Sequence, residues 1–135
     1  MFSNSSFVRI RYGETDQMGY CYYGNYAQYF EIGRVEALRA LGVSYKSLEE
    51  RGIMLPVTDL QVKYIRPALY DDLIEIKTHI KSTPGVKIEF EYEIYNEKKE
   101  LLTTGATTLV FISSETMRPV KAPEDVVKLI KARLD

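Results

Sequence analysis

The chain has 135 residues, 45% of them hydrophobic, and carries 18 Lys and Arg against 19 Asp and Glu. A chain of that length supports one hydrophobic core and buries roughly two-thirds of the surface it would expose when extended, so a single domain over residues 1–135 is expected. The formal net charge of -1 lacks the basic excess that a phosphate backbone demands, which excludes nucleic acid as the natural partner.

Along the chain, Phe7-Val8-Arg9-Ile10-Arg11-Tyr12 alternates in part and stops at Gly13, the pattern of a short opening strand. Residues 14–25 are polar and broken by Gly19 and Gly24, which predicts a structured loop despite its aromatic residues. From Tyr26 the period changes. Tyr26, Tyr29, Phe30, Gly33, Ala37, Ala40 and Leu41 recur at helical spacing, with Gln28, Glu31, Arg34 and Arg39 off the stripe. That spacing predicts an amphipathic helix of about four turns, with Asn25 placed to cap it and Gly42 to end it. A shorter helix is expected over Ser44 to Arg51, opened by Ser44-x-x-Ser47 and closed by Gly52.

Leu55 to Ile112 reads as strand. Leu60, Val62 and Tyr64 alternate with Gln61 and Lys63, and Ile74, Ile76, Thr78 and Ile80 alternate with Glu75, Lys77 and His79. Ile88 to Ile94 places Glu89, Glu91 and Glu93 on a wet face, and Leu101 to Ile112 is rich in Thr and β-branched residues. Breaks fall at Pro67, Asp71-Asp72, Thr83-Pro84-Gly85 and Asn96 to Lys99. Long strands joined by short turns predict an antiparallel meander with one face buried. Pro123 to Leu134, with acids first and bases last, suits a C-terminal helix. The long helix needs a sheet against which to bury its stripe, so a two-layer α+β architecture is predicted.

Reactive side chains are scarce. There is one cysteine, Cys21, one histidine, His79, and no tryptophan, against 11 tyrosines. One cysteine rules out an internal disulfide and a cysteine zinc cage, and one histidine rules out a two-histidine metal site within the chain. No metal or redox cofactor is therefore expected. The first residues lack a signal-peptide pattern, and no stretch reaches the roughly 18 apolar residues of a membrane span. A cytoplasmic protein that does not enter a membrane is expected.

Acids, glycines and aromatics gather in one place, Tyr12 to Tyr26, just before the long helix. A helix start offers unsatisfied N–H groups and the positive end of a dipole, which can stabilise a developing oxyanion beside a carboxylate. Five tyrosines, at 20, 22, 23, 26 and 29, surround this stretch, either to line a pocket or to pack the core. Cys21 reads as a small buried filler, and His79 as a surface residue far along the chain. Glu31 is either a second carboxylate of the site or an ion-pair partner of Arg34 or Arg66. Glu14 reads as a loop hydrogen-bonder.

The stretch Arg11-Tyr12-x-Glu14-Thr15-Asp16-x-x-Gly19-x-x-Tyr22-Tyr23-x-Asn25-Tyr26 resembles hotdog-fold acyl-CoA thioesterases of the 4-hydroxybenzoyl-CoA thioesterase type. Tyr29-Phe30-Glu31-x-x-Arg34 and Val62-Lys63-Tyr64-x-Arg66-Pro67-Ala68-x-Tyr70-Asp71-Asp72 continue the likeness across nearly the whole chain. The resemblance implies a hotdog fold, a long central helix wrapped by an antiparallel sheet of about five strands. It implies hydrolysis of an acyl-CoA, or of an acyl carrier protein thioester, with Asp16 as the catalytic carboxylate and the backbone N–H of Tyr23 polarising the thioester carbonyl. Asp16 would act either as nucleophile or as general base. Many relatives place a histidine where this chain has Tyr23, but a backbone donor does not depend on the side chain. Tyr22, Gly24, Asn25 and Tyr26 are the remaining candidate substrate contacts, with Lys63 and Arg66 candidates for the phosphates of coenzyme A. A homodimer or homotetramer, with a cleft between protomers, is likewise implied. The competing reading is a non-catalytic acyl-CoA-binding module on the same fold.

Overall fold

A computed structural model describes residues 1–134; Asp135 lies outside the described residues. The chain runs through β1 (Phe2–Arg9), 3-10 turns at Tyr12–Glu14 and Tyr23–Asn25, α1 (Tyr26–Ala40), α2 (Tyr45–Glu50) and β2 (Ile53–Met54). It continues through β3 (Val57–Tyr64), β4 (Leu73–Ile80), β5 (Lys87–Tyr95), β6 (Leu101–Val110), β7 (Ile112–Ser113) and α3 (Glu124–Leu134). Five strands form an antiparallel sheet in the order β1-β4-β5-β6-β3, and β2 pairs with β7 in a separate short ribbon. This is the hotdog arrangement, with α1 as the filling and the sheet as the wrap.

Alternation sets the two faces of the meander. Ile74, Ile76, Thr78 and Ile80 on β4 and Ile88, Phe90, Tyr92 and Ile94 on β5 are buried, while Glu89 and Glu91 between them face water. α1 lies across β1, β4 and β5 and buries Tyr26, Tyr29, Phe30, Gly33 and Ala37 of the predicted stripe. Two glycines allow the approach. A Cβ on Gly33 would stand 2.5 Å from Thr78 Oγ1, and one on Gly105 of β6 would strike the Phe30 ring and stand 2.9 Å from the Gln61 carbonyl. Phe30 then stacks on Tyr92 with ring centroids 4.3 Å apart.

Gly42, at φ 91°, ends α1 as expected. Its N–H donates to Arg39 O at 3.0 Å and that of Val43 to Leu38 O at 2.9 Å, the paired bonds of a Schellman motif. Ser44 Oγ accepts the Ser47 N–H at 3.0 Å and opens α2. The buried side of α1 is broader than the stripe, because Leu38 and Arg34 are buried and Ala40 is exposed. Arg34 Nε donates to the Tyr45 hydroxyl at 3.1 Å and docks α2 on α1.

The opening strand differs from expectation. It begins at Phe2, while Tyr12 falls in a 3-10 turn. Ser3, Asn4, Ser5 and Ser6 carry no apolar alternation, yet they pair along β4, and Ser5 Oγ donates to Glu75 Oε2 at 2.7 Å on the solvent side. Backbone pairing and polar cross-strand bonds extend the strand where hydrophobic periodicity is silent. β3 lies at the other edge. It pairs with β6 alone among the described strands, through a register shift between Val57 and Asp59; Val62 packs half-buried against the core, while Leu60 and Tyr64 stay exposed. Among the described residues no helix is long and apolar enough to cross a membrane.

Candidate active site

Asp16 stands at the head of a tight turn. Its Oδ1 accepts the N–H groups of Met18 at 2.9 Å and Tyr20 at 3.3 Å, while its own N–H donates to Tyr20 O at 2.8 Å and its carbonyl accepts Gly19 N–H at 3.0 Å. Gly19 takes a φ of 78°, which a residue without Cβ adopts freely. One carboxylate oxygen is therefore locked to the backbone, and Oδ2 has no hydrogen-bond partner among the described residues.

Residues 21–25 return alongside. The Tyr22 N–H and the Asn25 side-chain Nδ2 both donate to Glu14 O at 2.8 Å, and the Glu14 carboxylate accepts the Arg11 N–H at 2.7 Å, the loop-bonding role expected of it. Cys21 N–H donates to Ala68 O at 2.7 Å and ties the loop to the segment between β3 and β4. The cap assigned to Asn25 requires correction. Its backbone is helical, at φ -81° and ψ -16°, and its side chain caps nothing, because the 3-10 turn Tyr23–Asn25 already runs into α1. The leading N–H groups of the combined helix are those of Tyr23 and Gly24, which by position lack intrahelical acceptors. The ring of Tyr22 leans over Gly24, where a Cβ would stand 2.5 Å from it.

The two stretches enclose a cavity of about 250 Å³ whose lining includes Asp16, Tyr20, Tyr23, Tyr26, Tyr64 and Arg66. Of the residues singled out from sequence, Asp16, Tyr23, Tyr26 and Arg66 thus share one cavity, and Tyr22, Gly24 and Asn25 build its helix-side turn. Lys63 is not brought to it. Successive strand residues face opposite sides, and Lys63 lines a hollow of about 740 Å³ on the outer face of the sheet, with His79, Lys81, Glu89 and Glu91. That hollow is the larger, but its mixed lysines and glutamates are away from the helix start. Arg66 pairs with Glu100 at 3.3 Å. Glu31 forms neither expected ion pair, since Arg66 bonds Glu100 and Arg34 bonds Tyr45.

The one cysteine, Cys21, lines the same cavity, and the one histidine lies elsewhere. Cys21 is buried, and burial pushes its thiol up, disfavouring the thiolate that a nucleophile needs. Its Sγ lies 3.4 Å from the Tyr29 hydroxyl, whose pKa burial also raises, and burial raises that of Tyr26 to about 12. His79 is not the plain surface residue expected. It is mostly buried on the outer face, with Nδ1 2.7 Å from Ser3 Oγ and Nε2 2.8 Å from Glu93 Oε1. Among the described residues no three His, Cys, Asp or Glu side chains come together as a metal-binding group. Tyr64 is the site residue that sequence reasoning passed over. Its signal was its place at the end of the Leu60-Val62-Tyr64 alternation, on the same side as the helix.

The long helix wrapped by a five-stranded antiparallel sheet is the arrangement of the hotdog thioesterases. A family model of the thioesterase-like superfamily matches residues 10–130, and the chain belongs to that family. It is 32% identical over 124 residues to the acyl-CoA thioester hydrolase YbgC of Escherichia coli, covering 92% of each chain. It is 32% identical over 121 residues to the acyl-CoA thioesterase YbgC of Haemophilus influenzae, covering 88% of each. The solved DHNA-CoA thioesterase from Staphylococcus aureus superposes with a TM-score of 0.93 at 37% identity, over 98% of this chain and 91% of that one.

Proposed function

We propose that this protein, a single hotdog domain over residues 1–135, hydrolyses an acyl-CoA thioester to the free acid and coenzyme A. One observation carries the reading: Asp16 and Tyr23, at the start of the helix, line the same cavity, whose one thiol, Cys21, is pushed up by burial. The N–H of Tyr23 polarises the thioester carbonyl, a contribution worth about 2.7 to 4 kcal/mol of barrier for one such donor. Asp16 supplies the carboxylate. Its Oδ2 attacks the carbonyl carbon, the carbon–sulfur bond breaks, and the thiolate of coenzyme A leaves. Water then opens the mixed anhydride and regenerates Asp16. In the alternative route the same carboxylate takes a proton from an attacking water. The turn of Tyr22, Gly24 and Asn25 shapes the entrance, Tyr26 forms its floor, and Arg66 meets a phosphate of coenzyme A.

A homodimer, or a homotetramer built from it, completes the site. Two features support this. The cavity of about 250 Å³ falls below the roughly 300 to 1,000 Å³ of typical ligand pockets, and β3 presents an open sheet edge with exposed Leu60 and Tyr64 beside it. The lone thiol suits the cytoplasm.

The test is free-thiol release from a panel of short, long and aromatic acyl-CoAs and from an acyl carrier protein thioester. Turnover of at least one acyl-CoA is expected. Binding without turnover across the panel would replace the enzyme with an acyl-CoA-binding module, and turnover of the carrier-protein substrate alone would replace the substrate class. A single turnover in heavy-oxygen water, run beside hydroxylamine trapping, separates the two routes: label in the Asp16 carboxylate or a hydroxamate formed on Asp16 marks the anhydride, whereas label confined to the product acid with no hydroxamate on Asp16 marks general-base attack.

A further inference from the structure

We propose that Tyr64 is a positioning residue for this reaction, its hydroxyl holding the Tyr23–Gly24 peptide so that the Gly24 N–H stays presented to the thioester carbonyl as a second donor beside that of Tyr23. The inference rests on the acyl-CoA hydrolysis proposed above. The Tyr64 hydroxyl, at the end of β3, donates to Tyr23 O at 3.2 Å across 41 residues of sequence. The same carbonyl accepts the Tyr26 N–H. With both lone pairs engaged, this peptide cannot turn without losing two hydrogen bonds.

A peptide is planar, with its C=O and N–H pointing in opposite directions. Fixing Tyr23 O therefore fixes the Gly24 N–H, and a donor on the carbonyl polarises that N–H further. The preceding peptide is held in the same manner, since Tyr22 O accepts the Asn25 N–H at 3.0 Å and so orients the Tyr23 N–H. The difference is that the backbone of the turn supplies that bond itself, whereas the second bond to Tyr23 O comes from another layer of the fold.

The Tyr64 ring is held as well as its hydroxyl. It meets Tyr23 edge to face at 6.3 Å and Tyr26 edge to face at 5.2 Å, and it lines the cavity that contains Asp16. Nothing in the core or in the sheet ladder needs this hydroxyl, because Tyr64 lies on the outermost strand and is half exposed. Burial of the rest of the side chain raises the phenol's pKa, so at neutral pH it remains a donor.

Tyr64→Phe keeps the ring and deletes the bond. The expected result is a fall in kcat of about five- to tenfold, the equivalent of one neutral hydrogen bond, with KM and the thermal midpoint unchanged. Asp16→Asn is measured in the same assay. Absence of turnover by the wild type would sink the hydrolytic reading, and wild-type turnover by Asp16→Asn would sink the role of Asp16; if Asp16→Asn is inactive and Tyr64→Phe keeps the wild-type kcat, the positioning role alone fails. A second measurement replaces Tyr64 with 3,5-difluorotyrosine, whose phenol ionises at lower pH and then can no longer donate. A basic limb in kcat that moves to lower pH supports the role, and an unchanged pH profile overturns it, even if Tyr64→Phe does not fold.

Discussion

β5 and β3 carry the same two-residue alternation and end in opposite environments. On β5, Ile88, Phe90, Tyr92 and Ile94 are all at most 2% exposed, because α1 lies over them and Phe30 stacks on Tyr92. On β3, Leu60 is 45% and Tyr64 49% exposed, because α1 covers the other half of the sheet. Periodicity reports that a strand has a dry side. What makes it dry is a matter of topology, and among the described residues nothing covers Leu60 and Tyr64 of β3 as α1 covers β5. The exposed strand is also the one that reaches the candidate site through Tyr64, whereas the buried strand serves the scaffold.

Substitutions on each side sharpen that contrast. Phe30→Ala empties the centre of the buried layer and is expected to cost about 3–5 kcal/mol in urea unfolding; a loss below about 1 kcal/mol would mean that α1 is not held by this contact. Gly105→Val drives new carbons against Phe30 and the Gln61 carbonyl, and a cost of about 1–3 kcal/mol is expected from overpacking. Leu60→Glu, on the exposed strand, should leave the stability of the protomer within about 0.5 kcal/mol while halving the mass seen by light scattering and lowering activity. An unchanged mass would remove β3 as the assembly edge.

The smallest effect lies on the outer face. The hydrogen bond from His79 holds the Glu93 carboxyl below its usual value of 4.5. A lowered carboxylate contributes stability that is fully present above its ordinary pKa and is lost as pH falls through its folded value. Acid unfolding of Glu93→Gln should therefore be less steep below about pH 4.5 than that of the wild type, by only a few tenths of a kcal/mol because the pair is partly exposed. Coincident acid limbs would show that the bond contributes nothing.

Much of the fold was legible because its signals are local. The Glu-spaced run of β5, the helical stripe from Tyr26 and the stop at Gly42 each need only neighbouring residues to be read. The serine-rich start of β1 was not, since its pairing depends on β4, more than 60 residues away. At the candidate site the loop from Asp16 to Tyr26 stood out by composition, and the family resemblance supplied roles for Asp16 and Tyr23. Lys63 falls outside the cavity, and Tyr64 was overlooked, for one reason. They are adjacent on β3, a strand points them to opposite faces, and which face meets the helix start is decided by the order of strands in the sheet rather than by either residue.

In the proposed mechanism Asp16 carries the hydrolysis. Thiol release from the preferred acyl-CoA, measured on wild type and Asp16→Asn of equal thermal stability, tests it most directly. A fall in kcat of about 10² to 10⁴ is expected for Asp16→Asn, with the substrate still bound. Equal rates for the two proteins would contradict it.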